Sequence, residues 1–389
     1  MARTFSIINL GCKVNRIESD TIAAKLIACG AIMQKSGGDV CVINTCTITA
    51  EADAKVRKAV RKAAIDVMTD VMTNVMTNSK AASKKSNIGR VLVTGCSAAL
   101  NANTLQNLGD NIEVIANRTD ATKRALELLG LKEQTAVRYG EGFKTRAGIK
   151  VQDGCNNSCS YCIVPAARGH AQSFSIHDIL DEVETLLNAG ARELVLSGIN
   201  IGDYQSDGNN LVDLLKVILK HAASQLGTDS LFRIRLSSIE PQDVSDDLIA
   251  LIATEKGRIC RHLHLPLQSG SDNVLLKMNR RYTASYYMNI IAKLYQRIPS
   301  ISISTDIIVG FPGESDLDFI QTLFACKKCA FSRIHAFRFS ARPGTAAAEM
   351  PNKVPPETAV KRSLALRMLA AKLSAADATS RLKGTFSSA

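Results

Sequence analysis

The chain has 389 residues, 46% hydrophobic and 22% charged, a balance that is ordinary for a folded protein of two or three domains. No charged-then-apolar leader precedes the first strand-like run, Thr4 to Leu10, and no apolar stretch is long enough to span a membrane. Its 11 cysteines are too sparse for a disulfide scaffold. We therefore expect a cytoplasmic protein whose clustered cysteines bind metal or take part in redox chemistry.

The charge balance favours a polyanionic partner such as nucleic acid. The chain has 48 basic and 36 acidic residues, a net charge of +12 and a pI near 9.2. One short segment concentrates five basic residues: Lys55, Arg57, Lys58, Arg61 and Lys62. Like charges four residues apart repel on an isolated helix, and a phosphate backbone would relieve that repulsion. A solvated basic helix face is the alternative.

Strands and helices alternate in the first part of the chain. Strand-like apolar runs cover Phe5 to Leu10, Val40 to Ile43 and Val91 to Val93, with helices from about Val14 to Ala28 and from about Ala50 to Ala64. The alternation predicts a parallel sheet, whose ligands gather at the carboxyl ends of the strands. The three runs lead to Cys12, Cys46 and Cys96. We interpret these as metal ligands at one sheet edge; three small buried apolar residues are the alternative.

A Val-Met-Thr repeat lies between the second and third strands, from Asp66 to Asn78. Its period of four residues is close to the helical one, so Val67, Val71 and Val75 would extend the preceding helix with a drifting apolar stripe. The polar residues 79–87 that follow are predicted to form a loop. We interpret the repeat as a tolerated insertion.

A domain boundary is predicted between Leu131 and Arg146, where helical periodicity ends. We expect an N-terminal domain over residues 1–135, a second domain over residues 146–375 and a short tail over residues 376–389. The second domain repeats apolar runs with helical segments between them: Glu193 to Leu196, Phe232 to Leu236, His262 to Leu265, Ser302 to Val309 and His335 to Phe339. This alternation of strands and helices predicts a (β/α) barrel or partial barrel, with its functional residues on the loops after the strands.

The second domain opens with three cysteines at spacings of four and three: Cys155, Cys159 and Cys162. Such a loop can fold around a metal centre. A structural zinc would need a fourth ligand, for which His170 is the nearest candidate, whereas a four-iron cluster on three cysteines keeps one iron open for a substrate or cofactor. We favour the cluster. The pair Cys326 and Cys329 has no partner pair, and we interpret it as structural rather than as a redox pair or half a zinc site.

A cysteine loop at the start of such a domain resembles the radical S-adenosylmethionine (radical SAM) superfamily. The resemblance implies a [4Fe-4S] cluster on the loop, whose open iron binds the amino and carboxylate groups of SAM. Electron transfer then cleaves the sulfonium and leaves a 5′-deoxyadenosyl radical. The resemblance also implies which residues surround the cofactor: Tyr161, Gly198, Asn200, Ser238 and Gln268.

The added N-terminal three-cysteine domain is similar to that of the methylthiotransferases. Members carry a second [4Fe-4S] cluster, here on Cys12, Cys46 and Cys96, and use it to deliver sulfur to an unactivated C–H position. Four words resemble the MtaB-like branch: GCKVN at 11–15, NTCTIT at 44–49, GINIGDY at 198–204 and RIRLSSIEP at 233–241. That branch methylthiolates N6-threonylcarbamoyladenosine at position 37 of tRNA, beside the anticodon. The likeness runs from about Phe5 to about Leu369.

The resemblance implies a tRNA anticodon stem-loop as partner, together with an electron donor and a sulfur source. Arg280 and Tyr282 are candidates to lie near the sulfur-carrying cluster or the substrate base, and a surface salt bridge is the alternative for the Arg280-Arg281 pair. Family members continue into a small C-terminal β-barrel that grips tRNA, and we expect that domain to be absent here. Gln172 stands where a basic residue is expected after Arg168-Gly169.

Three alternatives to this function remain open. One sister branch modifies isopentenyl-adenosine in tRNA and another an aspartate of a ribosomal protein; the word KVN at 13–15 argues against both. The chain could also be a non-catalytic RNA-binding protein whose loop holds zinc. Metal content separates these classes, since two clusters predict about eight iron atoms and the zinc alternative predicts one zinc. The expected fold class is α/β, a parallel-sheet domain followed by a radical SAM partial barrel.

Overall fold

A computed structural model describes residues 3–77, 89–133, 146–227 and 230–386. Its contacts divide the chain into two compact units, Met1–Lys144 with Ile163–Gly169, and Thr145–Cys162 with His170–Ala389. The short segment that directly follows the cysteine loop therefore packs with unit 1, although it lies within the second domain by sequence.

Unit 1 alternates strands and helices. Its strands are β1 (Thr4–Asn9), β2 (Ile32–Met33), β3 (Val40–Thr45), β4 (Arg90–Gly95) and β5 (Ile112–Val114). Its helices are α1 (Lys13–Ala28), α2 (Ala50–Thr77), α3 (Cys96–Leu100), α4 (Ala102–Gln106), α5 (Ala121–Leu129) and α6 (Val164–Arg168). The strands form a parallel sheet in the order β2-β1-β3-β4-β5. The predicted parallel sheet and its three strands are confirmed.

Helices cover both faces of this sheet, which is why every residue of its central strand β3 is buried. On one face, Val56, Val60 and Val67 of α2 are fully buried against the sheet. The helix continues through the Val-Met-Thr repeat to Thr77, so the predicted extension is confirmed. The side chains of Val71 and Val75 and the predicted loop at 79–87 lie outside the described residues.

Unit 2 contains ten strands within the described residues: β6 (Ala147–Lys150), β7 (Gln152–Asp153), β8 (Gln172–Ser173), β9 (Glu193–Ser197), β10 (Gln205–Ser206), β11 (Asn209–Asn210), β12 (Arg233–Leu236), β13 (His262–His264), β14 (Ser302–Val309) and β15 (Arg333–Arg338). Its helices are α7 (Ile176–Asn188), α8 (Leu211–Leu226), α9 (Asp246–Thr254), α10 (Asp272–Lys277), α11 (Ala284–Arg297), α12 (Asp316–Cys329), α13 (Ala346–Glu349) and α14 (Pro356–Phe386).

Six of these strands form a parallel partial barrel. Two sheets, β6-β9-β12 and β13-β14-β15, are parallel throughout, and a parallel bridge between Ser238 and His264 joins them. The predicted partial barrel is confirmed. The first strand of the barrel, β6, was not predicted from the sequence. It has only four residues, one of them glycine, so it contains no apolar run.

The last helix, α14, starts at Pro356, a residue suited to a first helical turn, and includes residues 376–386, which the sequence assigned to a tail. Arg362 on this helix forms a buried ion pair with Glu314 in the loop after β14, with 2.6 Å between Nη1 and Oε2. The helix is thereby attached to the barrel. Across the described ranges, no helix combines the length and the apolar character needed to cross a membrane.

Candidate active site and metal centres

The three dispersed cysteines meet at one edge of unit 1. Cys12 caps the start of α1, Cys46 follows β3, and Cys96 opens α3 directly after β4. Burial raises the pKa of the Cys46 thiol, and the nearby sulfurs of Cys96 and Cys12 raise it further. The parallel order β1-β3-β4 thus gathers three thiols that lie far apart in the chain.

Two asparagines hold the loops that carry these cysteines. Asn15 accepts a hydrogen bond from the Cys12 thiol at 3.2 Å and donates to Asn44 Oδ1 at 2.7 Å. Asn44 donates in return to the Asn15 carbonyl at 2.9 Å. Gly95 lies so close that a Cβ there would stand 2.5 Å from Asn44 Oδ1. The asparagines of the sequence motifs GCKVN and NTC therefore position the cysteine thiols.

A buried cation lies beside the same group. Arg168, at the end of α6, donates from Nε to Cys96 Sγ at 3.2 Å and from Nη1 to Glu18 at 3.0 Å. Burial raises the pKa of the Cys96 thiol, whereas the charge and hydrogen bond of Arg168 oppose that rise. A guanidinium in this position favours thiolate, the form that binds metal.

The cysteine loop of unit 2 follows β6 and β7 at the carboxyl edge of the barrel. Gln152 is fully buried and donates to the Gly154 carbonyl at 2.8 Å, while its Oε1 accepts from the backbone of Asn200 at 3.1 Å. Ser160 binds the segment before Arg280, with its N 3.0 Å from the Met278 carbonyl. The loop is thus held from both sides.

Arg280 lies against this loop. Its Nη1 donates to Cys159 Sγ at 3.2 Å, and its Nη2 forms an ion pair with Glu240. Burial raises the pKa of Glu240, and the adjacent Arg280 guanidinium opposes that rise. Tyr282 is buried, and its hydroxyl donates to the carbonyls of Pro266 and Leu267. The Arg280 guanidinium lies over the Tyr282 ring, with its Cζ 4.9 Å from the ring centroid. Both candidates therefore lie beside the loop of Cys155, Cys159 and Cys162.

The residues expected around SAM follow the barrel strands at the same edge. Gly198 and Asn200 follow β9, Ser238 follows β12 and Gln268 follows β13. A Cβ at Gly198 would stand 2.8 Å from Gln152 Oε1, so only glycine fits there. Gln268 has a φ of 66°, an uncommon conformation for a residue other than glycine, of the kind that gathers at functional sites.

Tyr161 completes this set from inside the cysteine loop. Burial raises the pKa of Tyr161 well above its ordinary value, and the sulfurs of Cys159 and Cys162 contribute to the rise. Its ring packs edge-on against Phe311, with centroids 6.4 Å apart. The aromatic ring therefore lies close to two of the three sulfurs.

Among the described residues, the sulfurs of neither cysteine trio are grouped as closely as the ligands of a single zinc ion. Thiolates on one tetrahedral zinc stand about 3.8 Å apart, given Zn–S bonds of about 2.3 Å. Within the part of the chain that the structure describes, neither cysteine trio brings its three sulfurs within 4.8 Å of one another. Ligands of a four-iron cube bind different iron atoms and therefore stand farther apart. His170, the zinc candidate, contacts the Asn156 side chain instead, at 3.3 Å.

The inner face of the last three barrel strands is mainly polar. Its polar side chains include His262, His264, Ser304, Asp306 and His335, and the paired Ile308 and Phe337 follow them on the same face. His264 Nε2 lies 3.3 Å from Asp306 Oδ2, and its Nδ1 lies 3.0 Å from Ser304 Oγ. The opposite face of β14 carries Ile303 and Ile307, which are fully buried. Because side chains alternate along a strand, the polar set lines the barrel interior.

Two family models match the chain, the radical SAM superfamily over residues 149–357 and an uncharacterized protein family, UPF0004, over residues 4–117. The fold is similar to that of the radical SAM methyltransferase TsrM from Kitasatospora setae, with a TM-score of 0.61, 13% identity and coverage of 90% of this chain and 77% of that one. The barrel and its cysteine loop define a radical SAM enzyme, a class that uses SAM and a [4Fe-4S] cluster.

Similar proteins of known name identify the family within the radical SAM class. The threonylcarbamoyladenosine tRNA methylthiotransferase MtaB of Thermotoga maritima is 35% identical, over 91% of this chain and 78% of that protein. The tRNA-2-methylthio-N(6)-dimethylallyladenosine synthase of Endomicrobium trichonymphae is 34% identical, over 92% of this chain and 81% of that protein. The chain belongs to the radical SAM tRNA methylthiotransferase family. The family-level resemblance is confirmed, and two substrates occur among the relatives' names.

Sequence reasoning missed several residues of these sites. No role was predicted for Arg168, which stood only as the neighbour of Gln172, or for Gln152 and Asp306. The spacing His-x-His at 262–264 was a usable signal, because alternate residues of a strand share a face. No local pattern pointed to Gln152, whose role depends on two loops that meet in space.

Proposed function

We propose that the protein adds a methylthio group to C2 of N6-threonylcarbamoyladenosine at position 37 of tRNA. The observation that carries this proposal is the polar inner face of β13, β14 and β15. The threonylcarbamoyl group has a carboxylate, a hydroxyl and urea N–H groups, all of which need hydrogen-bonding partners when they leave water. A dimethylallyl group offers no such atoms and would only displace water from this face.

The radical-forming centre is proposed on the cysteine loop of unit 2. Cys155, Cys159 and Cys162 would hold a [4Fe-4S] cluster, which together with SAM supplies a 5′-deoxyadenosyl radical when bound. The residues that would border the cofactor are Tyr161, Gly198, Asn200, Ser238 and Gln268. Support comes from the shared edge of the barrel and from Gln152, which ties the cysteine loop to the loop of Asn200.

A second [4Fe-4S] cluster is proposed on Cys12, Cys46 and Cys96, as the source of the inserted sulfur. Three thiols in one group, two asparagines that orient their loops and a buried cation support it. The charge of Arg168 would stabilise the thiolates that such a cluster requires.

The tRNA is proposed to contact the basic face of α2. Lys58, Arg61 and Lys62 are exposed on this helix, while Lys55 is paired with Glu51 at 2.9 Å. Neutralised phosphates release counterions, so tRNA affinity should fall steeply with salt. An electron donor and a sulfur source complete the proposed partners.

Nucleoside mass spectrometry tests the substrate. The chain is expressed in bacteria deleted for their own tRNA methylthiotransferases, and the digested tRNA is analysed for both products. We expect 2-methylthio-N6-threonylcarbamoyladenosine and no 2-methylthio form of the dimethylallyl nucleoside. The Cys159→Ala variant should yield neither product, and His177→Gln, on the exposed face of α7, should match the unmodified chain.

The dimethylallyl substrate is the second candidate, because the relative named for it is 34% identical to this chain. Appearance of that product alone would overturn the proposed substrate while leaving the enzyme class intact. Replacement of His335 by Leu separates the two substrates further. It should reduce the threonylcarbamoyl product, and an unchanged yield would remove the polar face as the basis of recognition.

A further inference from the structure

We propose that His264, Asp306 and His335 form a binding site for one divalent transition-metal ion, separate from both cysteine groups. In the described ranges, these are the His, Cys, Asp and Glu side chains that bring three ligand atoms within 4.8 Å of one another. Two imidazoles and one carboxylate are a ligand set found on zinc, iron(II) and manganese(II).

The distances suit a common ion. Two ligand atoms about 2.1 Å from one ion, at angles of 90° to 109°, stand roughly 3.0 to 3.4 Å apart. His264 Nε2 and Asp306 Oδ2 are 3.3 Å apart. The imidazole of His335 stands edge-on to that of His264, with ring centroids 5.8 Å apart. The ligand atoms of all three residues lie within 4.8 Å of one another, and a bound ion would draw them closer.

The sheet holds the three residues rigidly. Asp306 of β14 is paired directly with His335 of β15, and His264 of β13 is paired with Ser304, which lies two residues before Asp306 on the same face. Sites on strands are held more precisely than sites on loops. The ligand set is therefore fixed by the register of three adjacent parallel strands.

Ser304 prepares His264 for a metal. Its hydroxyl oxygen lies 3.0 Å from His264 Nδ1 and can accept the proton of that nitrogen. The Nε2 lone pair then faces Asp306 and is available to an ion. Ligating histidines usually donate their other ring N–H to such a partner, and loss of the partner weakens metal binding about 10- to 100-fold.

The site is accessible to an ion and provides only three ligands, as catalytic metal sites do. All three side chains are half-buried, so an ion can reach them from the barrel interior. Three protein ligands keep a coordination position open for an oxygen donor such as water or a carboxylate. The inference that the substrate carboxylate fills this open position rests on the proposed function. The inference that the site binds an ion does not depend on it.

Metal titration of the reconstituted holoenzyme, without tRNA, tests the site. Mn²⁺ binds thiolate weakly and thus avoids the cysteine groups; its free concentration is read from its EPR signal. Zn²⁺ is measured in parallel by equilibrium dialysis and elemental analysis. We expect one equivalent of at least one ion to bind, with affinity lowered at least tenfold in His335→Gln and Asp306→Asn, and about tenfold in Ser304→Ala.

The matched control is His177→Gln. His177 also faces a carboxylate at 3.3 Å, that of Asp181, but on an exposed helix surface where, among the described residues, no third ligand atom completes a group. It should bind the ions as the unmodified chain does. The proposal is overturned if neither ion binds to folded, cluster-loaded protein, or if His335→Gln and Ser304→Ala both bind them unchanged. In that case His264 donates from Nε2 to Asp306 in a metal-free hydrogen-bonded pair.

Discussion

Arg168 donates a hydrogen bond from Nε to the sulfur of Cys96 at 3.2 Å, across 72 residues of sequence. Its side chain is 1% exposed and also binds Glu18 at 3.0 Å. Along the chain it stands six residues after Cys162, the last cysteine of the radical SAM loop. The segment that follows the loop of Cys155, Cys159 and Cys162 therefore places a positive charge beside Cys96.

Removal of this charge should alter the proposed second cluster. We expect Arg168→Gln to lower the reduction potential of the cluster proposed on Cys12, Cys46 and Cys96 by on the order of 50 mV, because a buried cation stabilises an added electron. EPR-monitored redox titration measures it. Arg124→Gln removes a surface cation of the same unit and should leave the potential unchanged. An unshifted potential in folded Arg168→Gln protein would show that the cation has no electrostatic role there.

Iron content tests the two-cluster assignment. Anaerobically reconstituted protein should contain about eight iron atoms and eight sulfides per chain, and Cys46→Ala should contain about four of each. The control is Cys329→Ala in α12, since burial raises the pKa of the Cys329 thiol to about 12 and makes it a poor ligand. About four iron atoms in the unmodified protein would refute the second cluster.

The contact between Arg280 and Cys159 should matter for radical formation. We expect Arg280→Lys to slow 5′-deoxyadenosine release about tenfold, because it keeps the charge but loses the forked donor that serves Cys159 and Glu240 together. Chromatographic assay of 5′-deoxyadenosine gives the rate. Arg281→Lys, at the exposed neighbouring position, should react at the normal rate. Equal rates for both variants would assign Arg280 a purely structural role.

Asp318 gives unit 2 a pH-dependent stability. Burial alone would raise the pKa of Asp318, but hydrogen bonds from Ser271, Ser315 and Asn273 outweigh burial and lower the pKa to about 2. The unfolded pKa is about 3.9. The carboxylate therefore stabilises the fold above about pH 4, and this contribution is lost as the pH falls towards about 2.

Asp318→Asn should accordingly lower the free energy of unfolding by about 2 kcal/mol at pH 7, and by clearly less at pH 3. Urea denaturation followed by circular dichroism at both pH values measures this difference. Asp181→Asn, at a 66% exposed side chain, serves as the reference. A loss of the same size at both pH values would mean that ionisation of Asp318 contributes nothing.

Much of the fold was predictable because strand patterns are local. The run Ser302 to Val309 was predicted with the bounds that β14 has in the structure, since its buried face alternates with its inner face. The gathering of Cys12, Cys46 and Cys96 followed from one rule, that carboxyl ends of adjacent parallel strands share an edge. The spacing of Cys155, Cys159 and Cys162 needed no fold at all, because one loop contains all three.

The sequence by itself therefore determined the family, the cysteine groups and the barrel. Only the tertiary structure decided that Arg168 packs with unit 1 beside Cys96 and that Asp306 stands opposite His335. The physical reason is that these pairs depend on strand register and on the packing of segments distant in sequence. Hydrophobic periodicity records which face of a strand is buried; it does not record which residue of the neighbouring strand lies beside it.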